Sequence, residues 1–426
     1  MSAIGRIIAR LEVDPRLFGM LGALLVIWVG FDIASDGLFL TPRNLYNLSL
    51  QTASVAIMTI GMVMVIVTRQ IDLSVGSLLG VLAMLMAVFQ SRILPDHVFA
   101  YESAWIWPVT ILFGIVCGIA IGGFHGWLIG YLGIPAFVVT LGGLLFWRGA
   151  AWWVTTGQTV SPLDERFELL GGGVFGTLGA QVGEWSSWLV GLIGIAALAL
   201  GAARARRKRV TYGFPVRPIW AESIVTGIQC IVVLAFVTVM QAYEMPIVAA
   251  NRFAEARGIP VPEDGIHIPE GIPIPILIVI ALAIIFTVVL NRSRFGRYVY
   301  AIGGNPDAAN LAGIDNRRMI FWVFVVMGLL TAISAAVASA RLQSADNGLG
   351  TGDELRVIAA AVIGGTSLMG GIGTIGGAIL GAVVIQSLQS GMTLLGADSS
   401  IQNMATAVVL VLAVFLDSLY QRRRKV

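Results

Sequence analysis

Long apolar runs constrain this chain more than any other feature. They follow one another through most of its length, and most could cross a bilayer as a helix of roughly 20 residues. The runs do not alternate between apolar and polar residues, so they indicate helices rather than a barrel. Of the 426 residues, 57% are apolar and 12% are charged, and that charged share is low for a soluble protein. The sequence therefore predicts an all-α polytopic membrane protein with about 10–12 transmembrane helices, some of them broken or short.

The predicted spans are apolar runs separated by polar or Gly/Pro-rich connections. They cover approximately residues 17–35, 47–68, 74–90, 105–128, 136–154, 187–203, 220–241, 272–290, 319–340, 355–366, 373–391 and 401–420. The run at 355–366 is short for a span and could form a half-helix buried among its neighbours.

Basic residues are concentrated in four segments, which predicts the orientation of the chain. These segments are the N-terminus with Arg6, Arg10 and Arg16, residues 204–217, residues 291–318, and the tail 422–425. Basic connections face the cytoplasm in membrane proteins, so both termini are predicted to be cytoplasmic and the number of spans to be even. The net charge is only +3, so no nucleic-acid partner is predicted.

Residues 291–318 form the most informative connection. Asn305 can cap a helix N-terminus, and Pro306 suits the first helical position. A short helix over Asp307–Leu311 would follow, and Gly313 would end it. A short capped helix between two spans would present a rigid knob to a cytoplasmic partner. The alternative is an ordered loop that only connects two spans.

The chain has interruptions in each half that resemble each other weakly. Residues 68–77 (TRQIDLSVGS) and 364–373 (GGTSLMGGIG) each end one run and open another, and Gly303–Gly304 is predicted to break the chain before the knob. Paired interruptions often mark a transport pathway. Arg69 and Asp72 could pair if their stretch is helical. Asp72 could pin the break as a structural lock or could bind a substrate or ion, and the lock is favoured.

The sequence lacks the motifs of several enzyme classes. Lys208 and Lys425 are the only lysines and each follows an arginine, so a Gly-Lys-Ser/Thr nucleotide-binding loop is absent. If ATP drives this protein, another subunit hydrolyses it. His97, His125 and His267 fit no zinc spacing, and His125 is expected to be a packed, hydrogen-bonded residue. No Gly-x-Ser-x-Gly nucleophile motif occurs. We therefore predict no catalytic residues, no metal and no cofactor.

Four segments together resemble the permeases of bacterial sugar ABC importers of the ribose/xylose type, in a superfamily that includes branched-chain amino acid permeases. The segments are Ile71–Ser77 (IDLSVGS), Gly133–Gly142 (GIPAFVVTLG), Ala301–Ala309 with Ala312–Ile314 (AIGGNPDAA, AGI), and Ala359–Gly377. Residues 157–271 hold more than a ribose-type core needs, so they are predicted to be an extended insert with two extra apolar segments. In this respect the chain is similar to the xylose/multiple-sugar branch.

The resemblance implies a single permease domain over residues 1–426 in the bacterial inner membrane. It also implies three protein partners: a cytoplasmic ABC ATPase, a periplasmic sugar-binding protein and a second copy of the chain. Residues 291–318 would be the coupling loop, and small side chains at Ala308 and Ala309 would let the knob enter a cleft in the ATPase. The expected ATPase-coupling residues are Gly304, Asn305, Pro306, Asp307, Ala308, Ala309 and Gly313. The expected pathway or structural-break residues are Asp72, Ser74, Gly76, Gly365, Thr366 and Ser367.

Other functions remain open at the level of the sequence. A branched-chain amino acid permease would share the superfamily, but Ile71–Ser77 and the intact Gly303–Ala309 run favour a sugar. An ion-coupled symporter would need no ATPase and would usually show several acidic residues facing one cavity at mid-membrane. A membrane scaffold or sensor would leave the interrupted helices without a role.

Overall fold

The computed structural model describes most of the chain. The described ranges are residues 15–100, 103–172, 174–175, 178–179, 184–255 and 258–424. Arg6, Arg10 and Lys425, which entered the orientation argument, lie outside them.

Helices dominate the described residues. In chain order they are α1 (Pro15–Ala34), α2 (Pro42–Val67), α3 (Val75–His97, with a π-helical turn at Phe89–Ile93), α4 (Ile106–Gly130), α5 (Ala136–Thr155), α6 (Glu165–Glu168), α7 (Glu184–Thr211), α8 (Ile219–Ala242), α9 (Ile247–Glu255), α10 (Ile274–Arg292), α11 (Arg294–Gly304), α12 (Pro306–Leu311), α13 (Asn316–Leu342), α14 (Asp353–Ile363), α15 (Ile375–Leu394) and α16 (Ser399–Arg424). A small antiparallel hairpin pairs β1 (Val174–Phe175) with β2 (Leu178–Gly179).

The described part of the chain confirms the prediction of an all-α polytopic membrane protein. Nine of its helices, α2–α5, α7, α8, α10, α13 and α15, are long and apolar enough to cross a membrane. Two shorter apolar helices are also present: Gly19–Ala34 lies in the predicted run at 17–35, and Ser399–Leu412 overlaps the predicted run at 401–420. The run at 355–366 corresponds to α14, which has 11 residues and extends roughly 16 Å. Because that length is about half the hydrocarbon thickness, α14 is the expected half-helix.

Glycines allow the central helices to pack backbone to backbone. A Cβ atom at Gly118 or Gly122 of α4 would collide with α13 around Gly328. At Gly381 of α15 it would collide with the carbonyl of Ala360 in α14. Glycines recur at intervals of four residues along α4, at 114, 118 and 122, and into α15, at 373, 377 and 381, and this spacing is typical of close helix packing in membranes. The helix α2 lies at the centre of this packing, since nearly all of its second half is buried.

Helices α7 and α8 form an antiparallel hairpin within the predicted insert. Gly191 of α7 packs against Val237 of α8. Val237 and Met240 of α8 also belong to a small apolar cluster with Tyr46 of α2. The hairpin thus packs mainly on itself and joins the rest of the protein at one end, where Val190 of α7 also packs on this cluster. That residues 157–271 are an insert relative to other proteins stays a prediction.

The two ends of the molecule differ in character. The antiparallel course of the helices brings residues 204–217 and 291–318 to the same end, which we call the basic end. At the opposite end Tyr46 donates a hydrogen bond to the Glu270 carboxylate, and Val160 pairs with Ala345 in an isolated β-bridge. That the basic end faces the cytoplasm stays a prediction.

Glu168, in the connection between α5 and α7, is almost fully buried, and burial raises its pKa to about 7. The carboxylates of Glu165 and Asp164 raise that pKa further. One carboxyl oxygen of Glu168 is buried and has no hydrogen-bond partner among the described residues. The ionised form of Glu168 is therefore disfavoured in the folded protein.

We expect Glu168→Gln to stabilise the protein at pH 8 but not at pH 4.5. The pKa of Glu168 is about 7 in the folded protein, above its ordinary value of 4.5. The free energy of unfolding is therefore unaffected by this group below pH 4.5, and it falls as the pH rises from 4.5 towards about 7. The gain at pH 8 should be on the order of 1–2 kcal/mol, because one pKa unit corresponds to about 1.4 kcal/mol and partial hydration reduces the effect. Thermal unfolding in detergent across this pH range measures it. Glu263→Gln, at an exposed glutamate in another connection, is the control, and an equal gain at both pH values would contradict the assignment.

Candidate functional site

The helix α12 begins with a complete N-terminal cap. The side-chain oxygen of Asn305 accepts hydrogen bonds from the backbone N–H groups of Asp307 and Ala308, at 3.1 Å and 3.0 Å. Pro306 occupies the first helical position, as predicted. The Asn316 side chain at the start of α13 donates a hydrogen bond to the Pro306 carbonyl at 2.9 Å. The short capped helix that the sequence predicted is therefore present, and Asn316 ties its first residue to the start of α13.

The exposure of the residues on α12 differs from what the sequence led us to expect. Asp307 and Ala308 are exposed, but Ala309 is only 4% exposed and packs inward. Ala309 therefore supports the knob from inside and does not lie on the surface that would enter a cleft. Leu311 is 91% exposed and is the most prominent apolar side chain of the knob. Gly313, with φ +80°, lies just beyond the end of the helix, as predicted.

The break predicted at Gly303–Gly304 occurs one residue later. Both glycines lie in the last turn of α11, and the backbone becomes extended at Asn305. The N–H of Asn305 still donates to the Ala301 carbonyl at 3.1 Å, which keeps the glycines helical. Gly303 serves close packing at this point, because a Cβ atom there would collide with the backbone of Val67 and Gly371.

Three segments meet at these glycines, and we call the contact the three-way junction. Arg69 donates hydrogen bonds to the carbonyls of Gly303 and Gly304, at 2.8 Å and 2.7 Å. The N–H of Gly371 donates to the Val67 carbonyl at 3.0 Å. The junction thus ties the 291–318 loop to both interruptions that the sequence predicted, the one after α2 and the one between α14 and α15.

The stretch after α2 is not helical, so the conditional pairing of Arg69 with Asp72 does not form. Arg69 adopts a left-handed backbone conformation with φ +63°, which turns its side chain towards the loop. Asp72 is 1% exposed and accepts hydrogen bonds from the N–H and the hydroxyl of Ser74, at 2.9 Å and 2.6 Å. Asp72 therefore stabilises the turn that leads into α3.

A chain of polar side chains continues from Asp72 into the neighbouring helices. The Ser74 hydroxyl lies 3.4 Å from Nδ1 of His125 in α4. The Trp147 indole of α5 donates a hydrogen bond to Nε2 of His125 at 3.0 Å. The Thr140 hydroxyl, also in α5, donates to the Ile71 carbonyl at 3.2 Å. His125 is thus a packed, hydrogen-bonded residue, as predicted, and the arrangement fits the structural-lock interpretation of Asp72.

We expect Asp72→Ala to reduce the yield and thermal stability of folded protein more than it changes substrate preference. Alanine leaves the buried N–H and hydroxyl of Ser74 without their acceptor, which costs about 1–3 kcal/mol. Size-exclusion profiles and thermal unfolding in detergent measure the loss. Asp72→Asn, which retains one acceptor oxygen, should lose less. A stable Asp72→Ala protein with altered specificity would support the ligand interpretation instead.

The other predicted break residues lie in two separate places. Gly76 sits at the start of α3, where a Cβ atom would collide with the Gly350 carbonyl and the Glu354 carboxylate. Gly365, Thr366 and Ser367 lie in the turn between α14 and α15. Gly365 has φ +86°, and Thr366 and Ser367 are buried. The six predicted residues therefore do not form one cluster; the three-way junction links the two interruptions instead.

The structure also contains a polar cavity that the sequence analysis missed. It measures about 480 Å³ and lies between α2, α13, α14 and α15. Gln386 donates a hydrogen bond to Gln51 at 3.0 Å, and Arg356 pairs with Asp353 at 2.7 Å. The lining residues are Gln51, Ser54, Val55, Ala338, Arg341, Asp346, Gly348, Leu349, Gly350, Thr351, Asp353, Arg356, Gln386, Gln389 and Thr393. Gln51 and Gln386 stand inside apolar runs, and such polar residues were the available signal in the sequence.

Comparison with known proteins identifies the family. Residues 44–416 match the family described as "Branched-chain amino acid transport system / permease component". The chain belongs to this permease family. The match covers well over half of the chain and extends from α2 to α16. The matched region therefore includes both interruptions and the knob. No solved structure is significantly similar to it.

Individual relatives of this permease are transport proteins. The xylose transport system permease protein of Escherichia coli (strain K12) is 34% identical over 415 residues, which cover 97% of this chain and 94% of the relative. Its counterpart in Haemophilus influenzae is 33% identical, covering 96% of this chain and 97% of the relative. The ribose import permease protein of Escherichia coli (strain K12) is 30% identical, covering 93% and 92%. The resemblance stated from the motifs is therefore confirmed.

Proposed function

We propose that this permease is the membrane-spanning subunit of an ATP-driven importer that moves a monosaccharide, xylose or a related sugar, into the cytoplasm. A separate ABC ATPase would hydrolyse ATP, and a periplasmic sugar-binding protein would deliver the substrate. The protein would act as a homodimer in the bacterial inner membrane with both termini in the cytoplasm. The observation that carries the proposal is the capped, exposed helix α12, joined to both chain interruptions in a member of a permease family.

The three-way junction supports coupling to an external source of energy. A force on α12 would act on α11, and Arg69 bonds the end of α11 to the break between α2 and α3. Gly371 extends the same contact to the turn before α15. Movement of the knob would therefore shift both interruptions together. Coupling of this kind requires two global states that differ in their contacts with the ATPase.

The polar cavity supports a neutral, hydroxyl-rich substrate. Glutamine amides and the Arg356–Asp353 pair offer both donors and acceptors, which suit sugar hydroxyl groups. The apolar side chains in the lining are Val55, Ala338 and Leu349. A branched-chain amino acid would need a larger apolar subsite for its side chain. The relatives include xylose and ribose permeases, and this favours a sugar over a branched-chain amino acid as the substrate of this permease.

Reconstitution in proteoliposomes tests the proposal. Vesicles would contain this permease with its ATPase, and the sugar-binding protein would be added outside. We expect uptake of labelled xylose or a related pentose that requires ATP. Uptake of leucine in place of sugars would indicate the branched-chain amino acid alternative. Uptake driven by a Na⁺ or H⁺ gradient without the ATPase would indicate a symporter.

We expect Gln386→Ala to raise the KM for sugar uptake about fivefold and to leave the assembly of the permease with its ATPase unchanged. The substitution removes an amide that lines the cavity, and one hydrogen bond contributes about 1 kcal/mol. Initial uptake rates at increasing sugar concentration measure the effect. Gln158→Ala, at an exposed glutamine in a loop, is the matched control. An unchanged KM in Gln386→Ala would exclude this cavity from the substrate path.

A further inference from the structure

Three buried side chains around the connection between α5 and α7 each keep one polar atom without a hydrogen-bond partner among the described residues. The atoms are Nε2 of Gln90 in the π-helical turn of α3, Oγ1 of Thr110 in α4 and Oε2 of Glu168 in α6. The three residues are only 2%, 0% and 3% exposed, respectively. Buried polar atoms without a partner are rare and unfavourable, and the proposed transport function does not use these three.

The Thr110 hydroxyl is not satisfied by its own helix. Thr59 and Thr331 are as fully buried as Thr110, and their hydroxyls donate to the carbonyl four residues earlier, at 2.7 Å and 2.8 Å. This is a common arrangement for a threonine inside a helix. Thr110 makes no such bond, so its hydroxyl is available to a partner outside α4.

Gln90 and Thr110 lie at the same level of two neighbouring helices. A Cβ atom at Gly114 of α4 would collide with the side chain of Met86 in α3, which fixes the register of the two helices. Because α3 and α4 are consecutive and antiparallel, one turn beyond Met86 on α3 lies opposite one turn before Gly114 on α4. Those positions are Gln90 and Thr110.

Glu168 is brought to the same place by the backbone of the connection. The backbone N–H of Asp164 donates to Oε1 of Gln90 at 3.2 Å, and the backbone N–H of Leu163 donates to the Glu168 carboxylate. Consecutive backbone nitrogens lie within about 4 Å of each other, so the Gln90 amide and the Glu168 carboxyl are neighbours. The helix α6 also packs on α4, which carries Thr110. The three groups therefore converge.

The chemistry of the three groups indicates what they bind. Oε1 of Gln90 is engaged with the backbone, which leaves Nε2, a donor, for the site. The Glu168 carboxylate accepts, and the Thr110 hydroxyl can donate or accept. The three atoms do not bond one another directly, although they are complementary. A metal cation is disfavoured because an amide N–H group cannot be its ligand. A small molecule that both donates and accepts satisfies all three.

We propose that one internal water molecule occupies this site and hydrogen-bonds to Gln90 Nε2, Thr110 Oγ1 and Glu168 Oε2. About three such bonds are usual for a buried water molecule. Water donates to a carboxylate and accepts from a carboxylic acid, so it serves Glu168 in either protonation state. The water molecule links the connection between α5 and α7 to α3 and α4, at the end of the protein opposite the basic end.

A cryo-electron microscopy map that resolves ordered water molecules tests the proposal on the unmodified protein. We expect a density peak at about 2.7–3.2 Å from each of the three atoms. Direct hydrogen bonds among the three side chains, or an apolar side chain between them, would overturn the proposal. A cation would also overturn it, and its signature would be a higher unfolding temperature in NaCl than in choline chloride at equal ionic strength.

The variant Thr110→Val gives a test that depends on the sign of the effect. Valine keeps the shape of threonine but lacks the hydroxyl. If the water is present, the variant removes one of its partners, and we expect the unfolding temperature to fall by about 2 °C. If the site is dry, the variant removes an unpartnered buried hydroxyl, and the unfolding temperature should stay the same or rise. Either of those results would overturn the proposal.

Two further variants complete the experiment. Thr59→Val is the matched control, because the Val55 carbonyl that loses the Thr59 hydroxyl keeps its helical N–H partner, and we expect little change. The double variant Gln90→Met, Thr110→Val should lose less than the sum of the two single variants, since both act on one water molecule. Strictly additive losses would show that the two side chains do not share a partner and would contradict the proposal.

Discussion

Leu311→Asp should strongly reduce ATP-driven uptake while the protein still inserts and folds. Leu311 is 91% exposed at the end of α12, so an aspartate costs the isolated permease little. In an assembled importer the same side chain would be desolvated against the ATPase. A buried, unpaired carboxylate opposes such a contact strongly, and loss of a central apolar anchor typically costs about 2 kcal/mol or more. Uptake in proteoliposomes should fall by more than about tenfold.

Graded substitutions at Leu311 separate docking from general damage. Leu311→Met keeps an apolar side chain and should retain most of the uptake, and Leu311→Ala should lie between methionine and aspartate. Copurification with the ATPase should follow the same order. Leu38→Asp places the same charge at an exposed leucine in the connection between α1 and α2, and it should leave ATPase binding intact. Normal transport by Leu311→Asp would remove α12 from the coupling contact.

Gly303→Ala should disrupt the three-way junction and destabilise the protein. A Cβ atom at this position would collide with the Val67 carbonyl and the Gly371 amide, which bond each other at 3.0 Å. Both contacts are backbone atoms, so relief requires movement of two segments rather than a side-chain rotation. Overpacking of this type costs about 1–3 kcal/mol. Thermal unfolding in detergent measures the effect.

Gly304→Ala is the matched control for that experiment. Gly304 is adjacent in the same helical turn, but a Cβ atom there would meet nothing within 4 Å. We expect the Gly304→Ala protein to unfold like the parent and the Gly303→Ala protein to unfold at lower temperature. If the two variants behaved alike, the close approach at Gly303 would not matter for stability.

Local features of the chain were predictable from the sequence. Apolar runs located the spans, because a helix in a bilayer must satisfy its own backbone and cover a fixed thickness. Asn305, Pro306 and Gly313 located α12, because caps depend on neighbouring residues only. The close packing of α4 on α13 followed from glycines at intervals of four residues, such as Gly118 and Gly122.

Features that depend on distant segments were not predictable in the same way. Arg69 bonds carbonyls more than 200 residues away, and its left-handed backbone conformation, with φ +63°, gives no signal in the sequence. The helix α12 has 6 residues, fewer than two turns, so its pattern is too short to show which face is buried. For this reason Ala309 was expected at the surface and Leu311 was overlooked. The polar cavity needs side chains from four helices, which only the fold brings together.

The hairpin of α7 and α8 has a practical consequence for protein engineering. It joins the central helices mainly where Val237 and Met240 approach Tyr46, and its remaining surface faces outwards. A peripheral unit of this kind can be exchanged between homologues with few compensating changes elsewhere. Chimaeras that exchange this hairpin would therefore show whether it adapts the transporter to the cell membrane of a particular organism.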